Sequence, residues 1–256
     1  MITIHWVLRL SSDWSANEYD DWYLGQHTNY GKNSPGIVRY SVNRALSEQP
    51  EQARGALFRV AEECWDTFED AEASWNAPLG HAVLGDAVAN IGLLDANALP
   101  GIAVTEDRCF DVDQPAIFST LKRGYTSSKD GTIVKFLAFG MAENGPQIAD
   151  WYATKYADFG RDGRLRQHIF GRSIGRKLQV GRLITIPGEE DQLLFDWALE
   201  LWFENVLEAH SFLGDAAFLN MWKELEDKSN NISASLCRGQ EMLVMAAPVV
   251  HRDSDL

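Results

Sequence analysis

The chain has 256 residues, of which 45% are hydrophobic and 23% are charged, and its formal net charge is −14. This length is enough to bury two cores of roughly 110–130 residues each. The negative charge opposes binding to nucleic acid and to anionic membrane surfaces, and no apolar run approaches the roughly 20 residues of a membrane span.

The first half of the sequence predicts four strands and two main helices. Hydrophobic residues alternate from Ile4 to Leu10 as in a half-buried strand, and Tyr19 and Tyr23 recur at helical spacing. Asp66, with Glu69 three residues later, resembles a capping box at the start of a helix. The predicted elements are a strand at 3–10, a helix at 15–30, strands at 37–45 and 56–64, helices at 67–75 and 79–89, and a strand at 101–110. The order βαββαβ is that of a ferredoxin-like unit.

The second half repeats this order. Trp22-Tyr23 matches Trp151-Tyr152, and Arg44 matches Arg172 after a gap of one residue. The predicted elements are a strand at 133–139, a helix at 146–159, strands at 167–174 and 193–199, a helix that carries Trp202, Ala209 and Phe212, a helix at 216–226, and a strand at 233–246. The segment 111–131 is interpreted as a connector.

The repeat predicts an α+β protein with two tandem ferredoxin-like βαββαβ domains, at 1–112 and 131–248. Each sheet has helices on one side only, so its bare face needs a cover. The other sheet provides that cover, and we expect the two domains to pack sheet to sheet as an intramolecular dimeric α/β barrel. The chain would then be a monomer with an internal pseudo-dimer, or a homodimer of such chains.

Three cysteines, widely spaced and odd in number, are typical of reduced thiols in a cytoplasmic protein: Cys64, Cys109 and Cys237. The N-terminus already has the pattern of a strand, with no basic segment before it, which argues against a signal peptide. We therefore expect a cytoplasmic protein. No close cluster of histidine and carboxylate residues indicates a metal site.

His27 is the strongest catalytic candidate, because an imidazole titrates near neutral pH and can transfer protons. It follows Tyr23 by one helical turn, so the two side chains share a face with Trp22 nearby. The alternative is an inert histidine near the end of the helix.

Two strands carry further candidates. Tyr40 aligns with His168 of the second copy, and either side chain could bind a carbonyl or simply pack in a core. Cys64 precedes a helix start, where a thiol pKa is lowered, although buried cysteines are often packing residues. His5 and Arg39 are further candidates for substrate binding.

Three segments resemble the EthD-like family of dimeric α/β barrel proteins: the Trp-Tyr…His pattern at 22–27, Pro-Gly-Ile-Val-Arg-Tyr at 35–40, and Cys-Trp-Asp at 64–66. That family includes polyketide dehydratases and decarboxylases, and it is similar to lactone isomerases of aromatic catabolism. The resemblance implies proton transfer, without a cofactor, on a small oxygenated and often cyclic molecule. The family histidine falls on His27, whereas Tyr156 occupies the matching place in the second copy.

The sequence therefore predicts a cofactor-independent lyase or isomerase acting on a small cyclic or aromatic-derived metabolite. The catalytic candidates are His27, Tyr40 and Cys64, and the substrate-binding candidates are Tyr23, Trp22, His5, Arg39 and His168. Two other functions remain open. One is a haem protein with His168 or His210 as an axial ligand, and the other is a non-catalytic carrier of a small molecule.

Overall fold

The computed structural model describes residues 1–10, 14–55, 57–91, 101–109, 132–142, 145–156, 159, 161–174 and 194–242. The first lobe consists of β1 (Ile2–Leu8), α1 (Ala16–Trp22), a π-helical segment (Tyr23–His27), α2 (Thr28–Gly31), β2 (Arg39–Ala45), β3 (Arg59–Trp65), α3 (Phe68–Trp75), α4 (Pro78–Ile91) and β4 (Gly101–Cys109). The second lobe consists of β5 (Thr132–Ala142), α5 (Gly145–Tyr156), β6 (Leu165–Ser173), β7 (Leu194–Phe195), β8 (Trp197–Phe203), α6 (Val206–Leu213), α7 (Ala216–Asp227) and β9 (Ser229–Met242). The predicted connector and the predicted domain limits at 112, 131 and 248 lie outside the described residues, so those limits stay a prediction.

The strands close into a barrel. The order is β4-β1-β3-β2 in the first lobe and β9-β5-β8-β6 in the second, and all of these neighbours are antiparallel. The edge strand β2 pairs with β9, and the edge strand β6 pairs with β4. The two sheets thus face each other across one barrel interior, and no edge is left open among these eight strands. The predicted intramolecular dimeric α/β barrel is confirmed, while the pairing of two copies stays a prediction.

Buried side chains form two helix-covered cores and one inner core. Each outer core joins a sheet to the helices of its own lobe, as Trp65 and Trp75 do in the first lobe. The inner cluster draws only on strands and their flanks, and it joins Val7 and Val60 of one lobe to Leu137 and Phe139 of the other. Along each strand, alternate side chains therefore pack either in a helix-covered core or in the barrel interior. Among the described residues, no helix is long and apolar enough to cross a membrane.

Local sequence explains where the helices begin. Ser15 caps α1 in a reciprocal capping box with Glu18. Thr67 caps α3 and accepts a hydrogen bond from the backbone of Asp70, so the predicted box at Asp66 is one residue too early.

The prediction that Trp202 lies in a helix is wrong, because Trp202 lies in β8 and the helix begins only at Val206. The run from Trp197 to Phe203 alternates between the two faces of the sheet, with Glu200 and Trp202 in the barrel interior. In the sequence, the residues around Trp202 also fit the first turn of a helix. In a strand, a shift of one residue would move every side chain to the opposite face of the sheet.

Candidate active site

A histidine and a carboxylate meet on the outer side of the first sheet. His27 ends the π-helical segment, and its Nδ1 lies 2.8 Å from Oδ2 of Asp86 on α4. Oδ1 of the same carboxylate accepts hydrogen bonds from Gln26 at 2.6 Å and from Asn90 at 3.1 Å. Because Nδ1 faces a carboxylate oxygen, that nitrogen carries the proton and Nε2 is left as an acceptor.

The environment of His27 keeps the imidazole neutral. Its ring packs against the rings of Trp22 and Tyr23, with centroids 5.0 and 5.1 Å away, and 11% of its side chain remains exposed. Burial lowers the pKa of His27 below its ordinary value, and the hydrogen bond to Asp86 acts in the opposite direction. A neutral imidazole that still reaches solvent can act as a general base.

A pair of phenols lies beside this histidine. The hydroxyls of Tyr23 and Tyr40 are 3.4 Å apart, and both side chains are buried. Burial raises the pKa of Tyr23 to about 12 and that of Tyr40 well above its usual value, so both hydroxyls keep their protons at neutral pH. Gly31 makes room for the pair, since a Cβ at this position would lie 2.8 Å from Cζ of Tyr40.

Sequence reasoning missed a buried carboxyl in the same layer. Glu63 is the register partner of Tyr40 across β2 and β3, and it accepts a hydrogen bond of 3.1 Å from Nε1 of Trp6. Burial raises the pKa of Glu63 to about 7. His27 and Glu63 thus lie on the same side of the first sheet and are linked through Tyr23 and Tyr40. Burial lowers the pKa of the histidine and raises that of the carboxyl, and opposite shifts of this kind are typical of acid and base partners. The alternation of β3 alone does not tell whether Glu62 or Glu63 faces the helices.

The second lobe keeps the aromatic pair in altered form. Tyr152 occupies the place of Tyr23, and its hydroxyl lies 2.6 Å from Nε2 of His168, which stands where Tyr40 stands in the first lobe. Complete burial lowers the pKa of His168 to about 3. This histidine is therefore a neutral hydrogen-bond partner inside a core.

The acid and the base are both missing from the second lobe. Tyr156 replaces His27, as the sequence alignment of the two copies shows. The residue that pairs with His168 across β6 and β8 is Leu201, whereas Tyr40 pairs with Glu63. The complete set of proton-transfer groups thus occurs once, in the first lobe of the described structure.

Three of the predicted site residues lie on the other face of the sheet. Cys64, His5 and Arg39 point into the barrel interior, where each is fully or almost fully buried. Sγ of Cys64 lies 3.2 Å from Oγ1 of Thr3. The structure brings together His27, Trp22, Tyr23 and Tyr40, but it separates them from these three residues and from His168.

The interior residues belong to a network that joins the two lobes. Glu200 accepts hydrogen bonds from His5 at 3.1 Å and from Nε1 of Trp202 at 3.0 Å. Burial by itself raises the pKa of Glu200, but the bond from His5 and the charges of Arg39 and Lys135 outweigh it, so the pKa lies below its ordinary value. The ionised carboxylate thus ties strands of both lobes together.

A group of three possible metal ligands lies within this network. Ligand atoms of His5, Glu62 and Glu200 all lie within 4.8 Å of one another. Arg39 and Lys135 each approach Oε2 of Glu62 to 2.5 Å, so two cations already balance the two carboxylates. A divalent ion would leave an uncompensated buried positive charge, which is costly, and the group does not fit a metal.

The histidines proposed for haem do not fit an axial ligand either. Nε2 of His168 is engaged by Tyr152 in a fully buried position, and coordination to iron would break that bond. His210 lies in the last turn of α6, and no other described feature around it points to haem.

Comparisons with known proteins give the fold. No protein-family model matches the sequence, and neither does any curated protein. A structure described as a "Putative monooxygenase" from Fusobacterium nucleatum matches with a TM-score of 0.54 and 9% identity over 98% of both chains. An anthrone oxidase-like protein matches with a TM-score of 0.55 and 8% identity, over 94% of this chain and 92% of that chain.

An ethyl tert-butyl ether d (ethd) family protein from Bacillus halodurans covers 41% of this chain and 98% of its own, with 18% identity and a TM-score of 0.35. The chain has the fold of dimeric α/β barrel proteins. The fold that the resemblance to the EthD-like group implied is confirmed.

Proposed function

We propose that the first lobe holds the active site of a cofactor-independent lyase or isomerase that acts on a small cyclic or aromatic-derived metabolite. The observation that carries this proposal is the contact of 2.8 Å between Nδ1 of His27 and the carboxylate of Asp86. It orients the imidazole, sets its tautomer and stabilises the positive charge that develops when Nε2 takes up a proton.

The proposed reaction begins at a carbon next to a carbonyl. Nε2 of His27 removes the proton, and the electrons of the C–H bond move to the carbonyl oxygen and form an enolate. The hydroxyls of Tyr23 and Tyr40 donate hydrogen bonds to that oxygen. Where a C=C bond is conjugated with the enolate, Glu63 then gives its proton to the far carbon of that bond, which completes an isomerisation. Where the β-carbon carries a hydroxyl, Glu63 protonates it, the electrons of the enolate form the new C=C bond, the C–O bond breaks and water departs. The proton on His27 then passes to solvent, and Glu63 takes up a proton from solvent.

Proton exchange measures this chemistry without knowledge of the natural substrate. Cyclic ketones, hydroxyketones and lactones are first screened for thermal stabilisation of the protein. Those that bind are incubated in heavy water, and deuterium at the α-carbon is followed by NMR. We expect exchange with at least one bound compound, and His27→Gln should slow it by about 10²-fold or more.

The matched control is His210→Gln, which removes a histidine from α6 and should exchange as fast as the original protein. Equal rates for His27→Gln and the original protein would contradict the proposal, as would the absence of exchange with every compound that binds.

A non-catalytic carrier is the second candidate. Within the described part of the chain, the Tyr19 hydroxyl and Nε1 of Trp22 are buried without a hydrogen-bond partner. An oxygenated ligand would satisfy such atoms whether or not it reacts. Tight binding without exchange in the same assay would favour this function over catalysis.

A further inference from the structure

A hollow, which we call the seam hollow, lies on the outer surface of the barrel, where β2 of the first lobe pairs with β9 of the second. Its volume is about 340 Å³, within the range of small-molecule sites. Its lining comes from α1 and the π-helical segment, from β2 with the residue after it, from β3 and from β9 of the second lobe: Asp20, Leu24, Val42, Arg44, Leu46, Arg59, Arg238 and Gln240.

The lining is positive although the protein is strongly negative. Three guanidinium groups, those of Arg44, Arg59 and Arg238, face one carboxylate, that of Asp20. The local formal charge is therefore about +2 in a chain whose net charge is −14. A positive concavity in a negative protein concentrates small anions.

The charge at the floor of the hollow is held in place. Arg59 is 2% exposed, and its Nη2 donates to Asp20 while its guanidinium lies 4.8 Å from the centre of the Tyr23 ring. Arg44 donates to the other oxygen of Asp20 at 3.2 Å and lies 3.6 Å over the ring of Phe58. Nε of Arg59 is buried and has no hydrogen-bond partner in the described structure. The positive charge at the floor is thus fixed in position and only partly balanced by Asp20.

A hollow in the second lobe provides the contrast. It has a volume of about 260 Å³ and is lined by Arg161 and Arg164 together with Asp162 and Asp215. Arg164 donates to both of these carboxylates. Two positive groups thus face two negative ones, and this hollow carries no excess charge that would attract an anion.

We propose that the seam hollow is a binding site for a small organic carboxylate with an apolar body. Arg238 would hold the carboxylate, because guanidinium donors bind carboxylate oxygens strongly, and the fixed charges of Arg44 and Arg59 would add to the attraction. The side chains of Leu24, Val42 and Leu46 would contact the apolar part. The hollow adjoins the ring of Tyr23, but its lining contains none of the proton-transfer groups, so the binding test does not depend on the proposed activity.

The test uses fluorobenzoate as the probe, with its uncharged analogue fluorobenzamide and with acetate, which lacks the apolar body. Binding is followed by fluorine NMR for the aromatic probes and by isothermal calorimetry for acetate, at constant ionic strength. We expect saturable binding of fluorobenzoate and weaker binding of the other two. Arg238→Gln should weaken fluorobenzoate binding roughly fivefold, as expected for an exposed charge pair.

The matched control is Arg166→Gln, which removes an exposed arginine that pairs with Glu204 in the second lobe and should leave binding unchanged. Arg59→Gln removes the buried charge at the floor of the hollow, and it should weaken binding as well. Arg238 is exposed, so its variant decides the test even where the buried substitution disturbs folding. The proposal is overturned if fluorobenzoate does not saturate, if fluorobenzamide binds equally well, or if Arg238→Gln binds like the original protein.

Discussion

The buried carboxyl of Glu63 makes a prediction that links stability to the proposed chemistry. The pKa of this group is about 7 in the folded protein, against an ordinary value of 4.5. Between these values the unfolded chain releases the proton and the folded protein keeps it, so stability falls as the pH rises. A difference of about 2.5 pKa units corresponds to about 3.4 kcal/mol once both states are ionised.

Glu63→Gln removes this ionisation and keeps an acceptor oxygen for Nε1 of Trp6. The variant should therefore gain stability relative to the original protein as the pH rises, by about 2 kcal/mol between pH 5.5 and pH 8. Urea unfolding at several pH values measures the difference between the two curves. Isomerisation or dehydration should fall in the same variant, because an amide cannot supply the proton, whereas exchange at the α-carbon should persist because His27 both removes and returns that proton.

The control for this experiment is Glu51→Gln, since Glu51 is exposed and lies in the connection between β2 and β3. The unfolding free energy of this variant should change with pH in the same way as that of the original protein. The reasoning is refuted if the difference in unfolding free energy between Glu63→Gln and the original protein does not change with pH. The carboxyl would then have the same pKa in the folded and unfolded states.

Three further predictions follow from the other contacts. Asp86→Asn should lower turnover about 10- to 100-fold and move the acid limb of the pH–rate profile to lower pH, because the carboxylate raises the pKa of His27; an unshifted limb would contradict this. The folded pKa of His168 is about 3, below the ordinary 6.5, so the original protein should lose about 1 kcal/mol of stability as the pH falls from 7 to 5.5. His168→Gln should remove this loss in urea unfolding, and an equal dependence of unfolding free energy on pH in both proteins would count against it. Gly31→Ala should displace Tyr40 and cost about 1–3 kcal/mol of stability, together with exchange activity, and unchanged values would show that the ring moves freely.

Local patterns were sufficient for most elements of the fold. Alternation along β1 and helical spacing along α1 both follow from the period of the element itself, so they can be read from neighbouring residues. The pairing of Tyr23 with His27 was predictable for the same reason, because residues four apart share a helix face. Where the period was ambiguous, as around Trp202, the predicted strand ended and the predicted helix began several residues too early.

Asp86 was not predictable as the partner of His27. The two residues are 59 positions apart, and only the packing of α4 against the π-helical segment brings them together. Glu63 presents the same difficulty in another form. It follows Glu62 directly, and only the pairing of β3 with β1 and β2 decides which of the two faces the helices.

The sequence by itself determined that this chain contains two like modules, of which only the first has a histidine, His27, at that place in its first helix, because that information is carried by short-range periodicity and by the repeat. Only the tertiary structure decided which face each strand residue occupies. Closing the barrel turned His5 and Arg39 inward, where they contact the buried carboxylates of Glu200 and Glu62, and it turned Cys64 inward as well. It left His27, Tyr23, Tyr40 and Glu63 on the helix-covered side of the first sheet. Strand register and inter-lobe pairing are long-range properties, and no local pattern contains them.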